Sequence, residues 1–295
     1  MRGLGIPGGR VRGGLLIPKL RELMTPDREI TQHCIAVAFY GIGGAGSNSV
    51  AEFYKDLIAW FNSAQCPPNR ISVDGTGFSG ENVGFARTHS RLLKQGFSGV
   101  KKVTVYAMLP DGHIPTVDWC AVAFLWRDYH PCFVFSARTS ITTLGDSRLA
   151  RLILRCISKL KPVYGIAYQR DHDKGPPFYA TGVNYGLNVA PSAEEWEDGA
   201  NIQAWGDVGM AKEVYKQGIL RDVYTYNYLS EPHLTRRVGT ETLQHWISAD
   251  SSRGRLIKLN DRMMLWNVPV PQIRSIRERL WSAGIVFDRK ACIDE

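Results

Sequence analysis

The sequence has no closely spaced cysteine pair and no long apolar run. Its six cysteines show no CxxC or CxxxC spacing, so neither a zinc ribbon nor a redox dithiol is predicted. No stretch of about 18 apolar residues occurs, so no membrane-spanning helix is predicted. Four cysteines lie inside apolar runs, which favours buried thiols in a reducing compartment. We therefore expect a cytoplasmic protein.

Signatures of the common catalytic classes are also missing. The chain contains no HExxH, GxSxG or GxxxxGK[ST] pattern and no kinase-type set of motifs. Aromatic residues make up 11% of the 295 positions, which excludes a disordered chain, and the 29 glycines have no period of three, which excludes a collagen-like one. The composition predicts a well-packed globular protein and leaves its function open.

Positive charge is concentrated at the N-terminus. The formal net charge is +8, and the first 23 residues hold five basic residues against the single acid Glu22. We interpret residues 1–23 as a flexible, glycine-rich basic tail, and a basic arm that contacts nucleic acid is the alternative. The residues of that arm would be Arg2, Arg10, Arg12, Lys19 and Arg21.

Periodic patterns predict an α+β fold. An apolar run at 34–40 indicates a buried strand, and a helical face follows it from 50 to 61. Strands are expected at 102–109, 119–126 and 132–137, and the five-residue connection between the last two requires antiparallel pairing. A basic amphipathic helix is expected at 148–161 and a strand at 163–169. We predict a mostly antiparallel sheet with helices packed on one face.

Composition divides the chain into further segments. Residues 24–189 are assigned to the main sheet domain, and 190–219 to an acidic polar linker or loose helix. Residues 220–295 are assigned to a smaller C-terminal α+β subdomain. Within it we expect a hairpin made of strands 255–259 and 263–268 and a helix at 271–283.

One glycine-rich string stands between the first strand and the first helix. The string, Gly41-Ile42-Gly43-Gly44-Ala45-Gly46, matches GxGxxG and resembles the glycine turn of dinucleotide-binding domains. If the chain is a nucleotide-binding enzyme, its cofactor-binding residues are Gly41, Gly43 and Gly46, and a parallel sheet starts at residue 34. A tight strand-to-helix turn is the simpler interpretation, because the antiparallel hairpin does not fit a doubly wound sheet.

A polar string at the end of a predicted strand supplies the candidate partner-binding residues. These are Arg170, Asp171, His172, Asp173 and Lys174. Neighbouring residues cannot all face one ion, so we predict no metal site and no cofactor. Because loops positioned by a rigid sheet commonly carry binding, we expect contacts from the loops 75–82, 170–178 and 192–209. A nucleic-acid contact through the basic face of the 148–161 helix is a further alternative.

Two stretches carry a family resemblance. PVYGIAYQRDHDKGPPFYATGVNYG at 162–186 and the aromatic-rich segment 220–287 resemble uncharacterised bacterial α+β proteins akin to the immunity proteins of polymorphic and type VI secreted toxins. The resemblance implies a non-enzymatic protein that binds a toxin or a complex subunit, with no catalytic residues to carry over. The chain departs from an acidic nuclease inhibitor in being net basic, which leaves the target open.

Overall fold

The computed structural model describes residues 32–184 and 193–290, with side chains described from residue 196 in the second segment. The basic N-terminal residues Arg2, Arg10, Arg12, Lys19 and Arg21 lie outside these residues. So does the proposed division of the tail from the main domain at residue 24.

The described residues contain twelve strands, and ten of them form one sheet in which every adjacent pair is antiparallel. In chain order the strands are β1 His33–Tyr40, β2 Arg70–Gly75, β3 Phe78–Gly84, β4 Val100–Met108, β5 Trp119–Trp126, β6 Cys132–Arg138, β7 Tyr164–Asp171, β8 Tyr226–Leu229, β9 Arg237–Val238, β10 Glu241–Thr242, β11 Arg255–Lys258 and β12 Met264–Asn267. The sheet has the order β11-β12-β8-β7-β1-β6-β5-β4-β2-β3, and β9 and β10 pair separately. The predicted antiparallel sheet is confirmed.

Eight α-helices occur in the described residues. They are α1 Ser47–Ser63, α2 Phe85–Gln95, α3 Ser147–Leu160, α4 Pro176–Ala180, α5 Ala193–Ala204, α6 Glu231–Leu234, α7 Leu243–Ser248 and α8 Ile273–Ser282. A π-helical segment, Trp205–Met210, continues directly from α5. The α+β class is therefore confirmed.

The central strand β1 is buried on both sides, which explains its unbroken apolar run. Ile35, Val37 and Phe39 face one core, which α1 and α3 cover. The alternate residues face a second core, because successive strand side chains point to opposite faces. The second core is closed by the shorter C-terminal elements, including the π-helical segment, α7 and α8. Each face of the sheet is thus packed against helical structure.

Two local expectations need correction. The parallel sheet expected for a nucleotide-binding turn is wrong, because β1 pairs antiparallel with both β6 and β7. Most of the expected contact loop 75–82 instead belongs to β3, Phe78–Gly84, at the sheet edge. An edge strand with one free side needs little apolar patterning. The exposed polar and glycine residues of β3 therefore gave no strand pattern in the sequence.

The C-terminal strands continue the same sheet. Strand β8 pairs with β7 through Tyr164↔Leu229 and its neighbours, and β12 pairs with β8. The predicted hairpin is confirmed, since Arg255 pairs with Asn267 and Lys258 with Met264. The free side of β7 is therefore covered by residues that follow it by about 60 positions.

Candidate binding site

Packing accounts for Gly41, the first glycine of the turn. Gly41 has φ +78°, and a Cβ there would lie 2.9 Å from Val163 Cγ2 and 3.2 Å from the Tyr215 ring. Its amide donates to the Pro131 carbonyl at 3.0 Å. Glycine is required here by the left-handed backbone and by the lack of space for a side chain.

The other two candidate glycines differ from each other. A Cβ on Gly43 would lie 3.0 Å from Pro131, so this glycine also allows close packing. Gly46 is the N-cap of α1, with φ −65°, and a Cβ there would meet nothing within 4 Å. No side chain caps this end of α1, and its first turn has no acidic residue. Of the three glycines, Gly46 is the one at the helix N-terminus, where a side chain would have free space.

The polar string at 170–174 is held by ion pairs within the chain. Arg170 Nη2 lies 2.6 Å from Asp198 Oδ2, and Asp171 Oδ1 lies 2.9 Å from His33 Nδ1. Lys174 Nζ reaches the other Asp171 oxygen at 3.6 Å. Of the other two residues of the string, the His172 ring packs on the Trp119 ring, with 4.6 Å between the ring centroids, and the Asp173 side chain is exposed.

Two of the three expected contact loops come together. The Arg170–Asp198 ion pair joins the 170–178 segment to α5, and Arg289 pairs with Glu197 on the same helix at 2.7 Å. Trp196 on α5 is 68% exposed, and Val183, whose neighbour Asn184 packs on Gly199 of α5, is 46% exposed. The third loop, 75–82, belongs to the β2–β3 hairpin at the far edge of the sheet. The candidate surface therefore consists of the 170–184 and 196–204 residues.

Sequence reasoning missed the residues behind this surface. Arg221 is 7% exposed, and its guanidinium carbon lies 4.0 Å from the ring centroid of Tyr179. The Arg170 guanidinium carbon lies 4.3 Å from the same ring, and the Tyr179 and Tyr224 hydroxyls are 2.8 Å apart. The available signal was the density of aromatic residues around 220–229, but nothing local indicates that Arg221 is buried.

Burial sets the charge of the tyrosines around Arg221. It raises the pKa of Tyr40 to about 12, because the ionised phenolate would lose its hydration. It also raises the pKa values of Tyr168 and Tyr224 well above their ordinary value. All three hydroxyls stay protonated and neutral at physiological pH. They therefore act as hydrogen-bonding groups and supply no negative charge to Arg221.

Acidic partners neutralise part of the basic face of α3. Arg148 Nη2 lies 2.6 Å from Asp146 Oδ2, and Lys159 pairs with Glu52 on α1. The side chains of Arg151, Arg155 and Lys161 are exposed. This face is therefore a partly paired helix surface with three solvent-facing cations.

The described residues contain neither a cluster of metal-ligating side chains nor a membrane-spanning helix. Within residues 32–184 and 196–290, no group of three or more His, Cys, Asp or Glu side chains could hold a metal ion. No helix in the described segments is long and apolar enough to cross a membrane.

An antiparallel α+β sheet with helical structure on both faces is thus the class of fold that carries this surface. No protein-family model matches the sequence, and no curated protein matches it. Among solved structures, the chain is similar to the Pseudomonas aeruginosa T6SS protein PA0821, with a TM-score of 0.51 and 11% sequence identity. The alignment covers 87% of this chain and 73% of that one. At this identity the similarity shows a shared fold.

Proposed function

We propose that this chain is a non-enzymatic cytoplasmic protein that binds another protein, as an immunity-type inhibitor of a toxin delivered by a type VI secretion system. The fold similarity to a T6SS protein supports the type VI context. The observation that carries the binding role is Trp196, which is 68% exposed on a helix held by ion pairs. Tryptophan is among the residues most enriched in the energetic centres of protein interfaces.

The Trp196 surface, defined by Trp196 and Val183, is preorganised. Ion pairs from Asp198 and Glu197 anchor α5 to residues distant in sequence, and these acids follow Trp196 directly. Gly182 also packs closely on Gly206. A side chain presented on a fixed helix loses less conformational entropy on binding, so a larger part of the contact energy appears as affinity.

A growth-rescue assay tests this proposal. Each type VI toxin encoded in the source genome is expressed in a bacterial host with and without this chain, and one toxin is expected to be neutralised. With that toxin purified, Trp196→Ala should weaken binding at least tenfold, which corresponds to about 1.4 kcal/mol. Trp281→Ala is the matched control, because Trp281 is 43% exposed on α8, outside the Trp196 surface.

Two results would contradict the proposal. If none of the toxins is neutralised, the immunity role is wrong. If Trp196→Ala and Trp281→Ala weaken binding equally, the Trp196 surface is not the contact.

The nucleotide-binding alternative is tested on the same protein by adding ATP, GTP or NAD and measuring Tm. A rise in Tm that disappears in Gly46→Asp, where the new carboxylate would face open space at the α1 N-terminus, would favour that alternative.

A further inference from the structure

Arg221 is held in place by its backbone. Leu220 forms a parallel bridge with Val286. Its amide donates to the Ile285 carbonyl, and its carbonyl accepts from the Phe287 amide. The Arg221 amide donates to the Tyr164 hydroxyl at 3.1 Å. These contacts fix the direction in which the Arg221 side chain leaves the chain, toward the aromatic residues of the second core.

No ion-pair contact to the Arg221 guanidinium is found among the residues that the structure describes. Its one side-chain hydrogen bond goes from Nη1 to the Tyr40 hydroxyl, at 3.5 Å. The neighbouring Asp222 is engaged by Arg277 at 2.5 Å and by the Val223 amide at 2.7 Å. Asp198 is likewise taken by Arg170. A guanidinium offers five N–H donors and is strongly destabilised when buried without a partner.

A buried donor next to Arg221 lacks an acceptor. Trp205 is 1% exposed, and no hydrogen-bond partner is found for its indole Nε1. Its ring centroid lies 5.6 Å from the Arg221 guanidinium carbon and 5.6 Å from the Tyr40 ring centroid. Trp205 also begins the π-helical segment, and π-helical turns occur frequently at functional sites. The unpaired indole N–H of Trp205, next to a guanidinium that donates one long hydrogen bond, indicates a missing acceptor group.

We propose that the Arg221 cage, defined by Arg221, Tyr40, Tyr179, Trp205 and Tyr224, binds the oxyanion group of a small molecule, a carboxylate or a phosphate. Guanidinium groups recognise such oxyanions through two parallel hydrogen bonds. In the Tyr179–Tyr224 hydroxyl pair one hydrogen satisfies the pair and the other is left to donate. The half-buried Tyr179 connects the cage to the surface.

Anion titration of the purified chain tests this site without a partner protein, so its outcome is separate from that of the proposed toxin binding. Inorganic phosphate and acetate are titrated by calorimetry and by Tm against sodium chloride at equal ionic strength. We expect saturable binding and a rise in Tm for at least one anion, and the anion that binds identifies the ligand as phosphate or carboxylate. Arg221→Gln should weaken that binding at least tenfold.

Arg253→Gln is the matched control, because Arg253 also lies over an aromatic ring, that of Trp246 at 4.4 Å, outside the cage. Its anion binding should equal that of the wild type. Where Arg221→Gln fails to fold, Tyr179→Phe replaces it, because it removes one hydroxyl and keeps the ring, and binding should weaken several-fold. The proposal is overturned by an absence of saturable binding in the wild type. Unchanged affinity in a folded Arg221→Gln or in Tyr179→Phe overturns it as well.

Discussion

His233 should make the stability of this protein fall between pH 7 and pH 5. The residue is completely buried, its ring stacks on Tyr164 at 4.9 Å, and its Nδ1 lies 3.2 Å from the Ser230 hydroxyl. Its Nε2 has no hydrogen-bond partner in the described structure. Burial lowers the pKa of His233 to about 3, because the charged imidazolium would lose its hydration, and a hydrogen bond with Ser230 opposes part of that shift.

The size of the effect follows from proton linkage. The unfolded chain takes up a proton at His233 near pH 6.5, whereas the folded chain stays neutral until about pH 3. The neutral, folded form is therefore at full stability above pH 6.5 and is progressively destabilised as the pH falls below it. Between pH 7 and pH 5 the loss is about 2 kcal/mol, at 1.36 kcal/mol per pH unit. The figure is insensitive to the folded pKa as long as that value lies well below 5.

Urea unfolding of the wild type and of His233→Phe at pH 7, 6 and 5 measures this loss. Phenylalanine keeps a ring against Tyr164 and removes the titrating group, at a cost of about 1 kcal/mol for the lost Ser230 contact. The free energy of unfolding should fall by about 2 kcal/mol more in the wild type than in the variant. His245→Gln, at an exposed position, should follow the wild type. Equal pH dependence of the wild type and His233→Phe would refute the reasoning.

Three further predictions concern a turn, a helix cap and a thiol. Gly41→Ala should lower the free energy of unfolding by about 1–3 kcal/mol, because Gly41 has a φ of +78° and a crowded Cβ position. Gly46→Ala should change the free energy of unfolding by no more than about 1 kcal/mol. Urea unfolding measures both. Asp146→Ala should lower Tm, with a loss of about 1 kcal/mol, because the Asp146 carboxylate accepts from an amide in the first turn of α3 at 2.7 Å. The Cys120 thiol is partly exposed, and a hydrogen bond with the Cys66 thiol lowers its pKa, so iodoacetamide at pH 8 should label Cys120 before the buried Cys34, Cys66, Cys132 and Cys156. The Cys66→Ala change should slow that labelling, as followed by mass spectrometry.

Much of the fold could be predicted because its elements are encoded locally. Helix α3 has apolar residues at helical spacing, an Asp146 cap and a proline after its end, and these signals act within one or two turns. Strand β1 is apolar throughout because both of its faces are covered. The short β5–β6 connection required antiparallel pairing. By contrast, β3 was missed, since an exposed edge strand carries no periodic apolar pattern.

The proposed Trp196 surface and the proposed Arg221 cage depend on tertiary structure alone. The sequence singled out Arg170, but not its ion pair with Asp198, which lies 28 positions further along the chain. It also gave no reason to select Arg221, whose hydrogen-bond partner Tyr40 is 181 positions away. An arginine in a polar-aromatic segment is expected to be exposed, and it becomes buried here because Tyr179 and Trp205 of the π-helical segment pack against it. Local patterns determine which residues form strands and helices, whereas the pairing order of the strands determines which side chains meet.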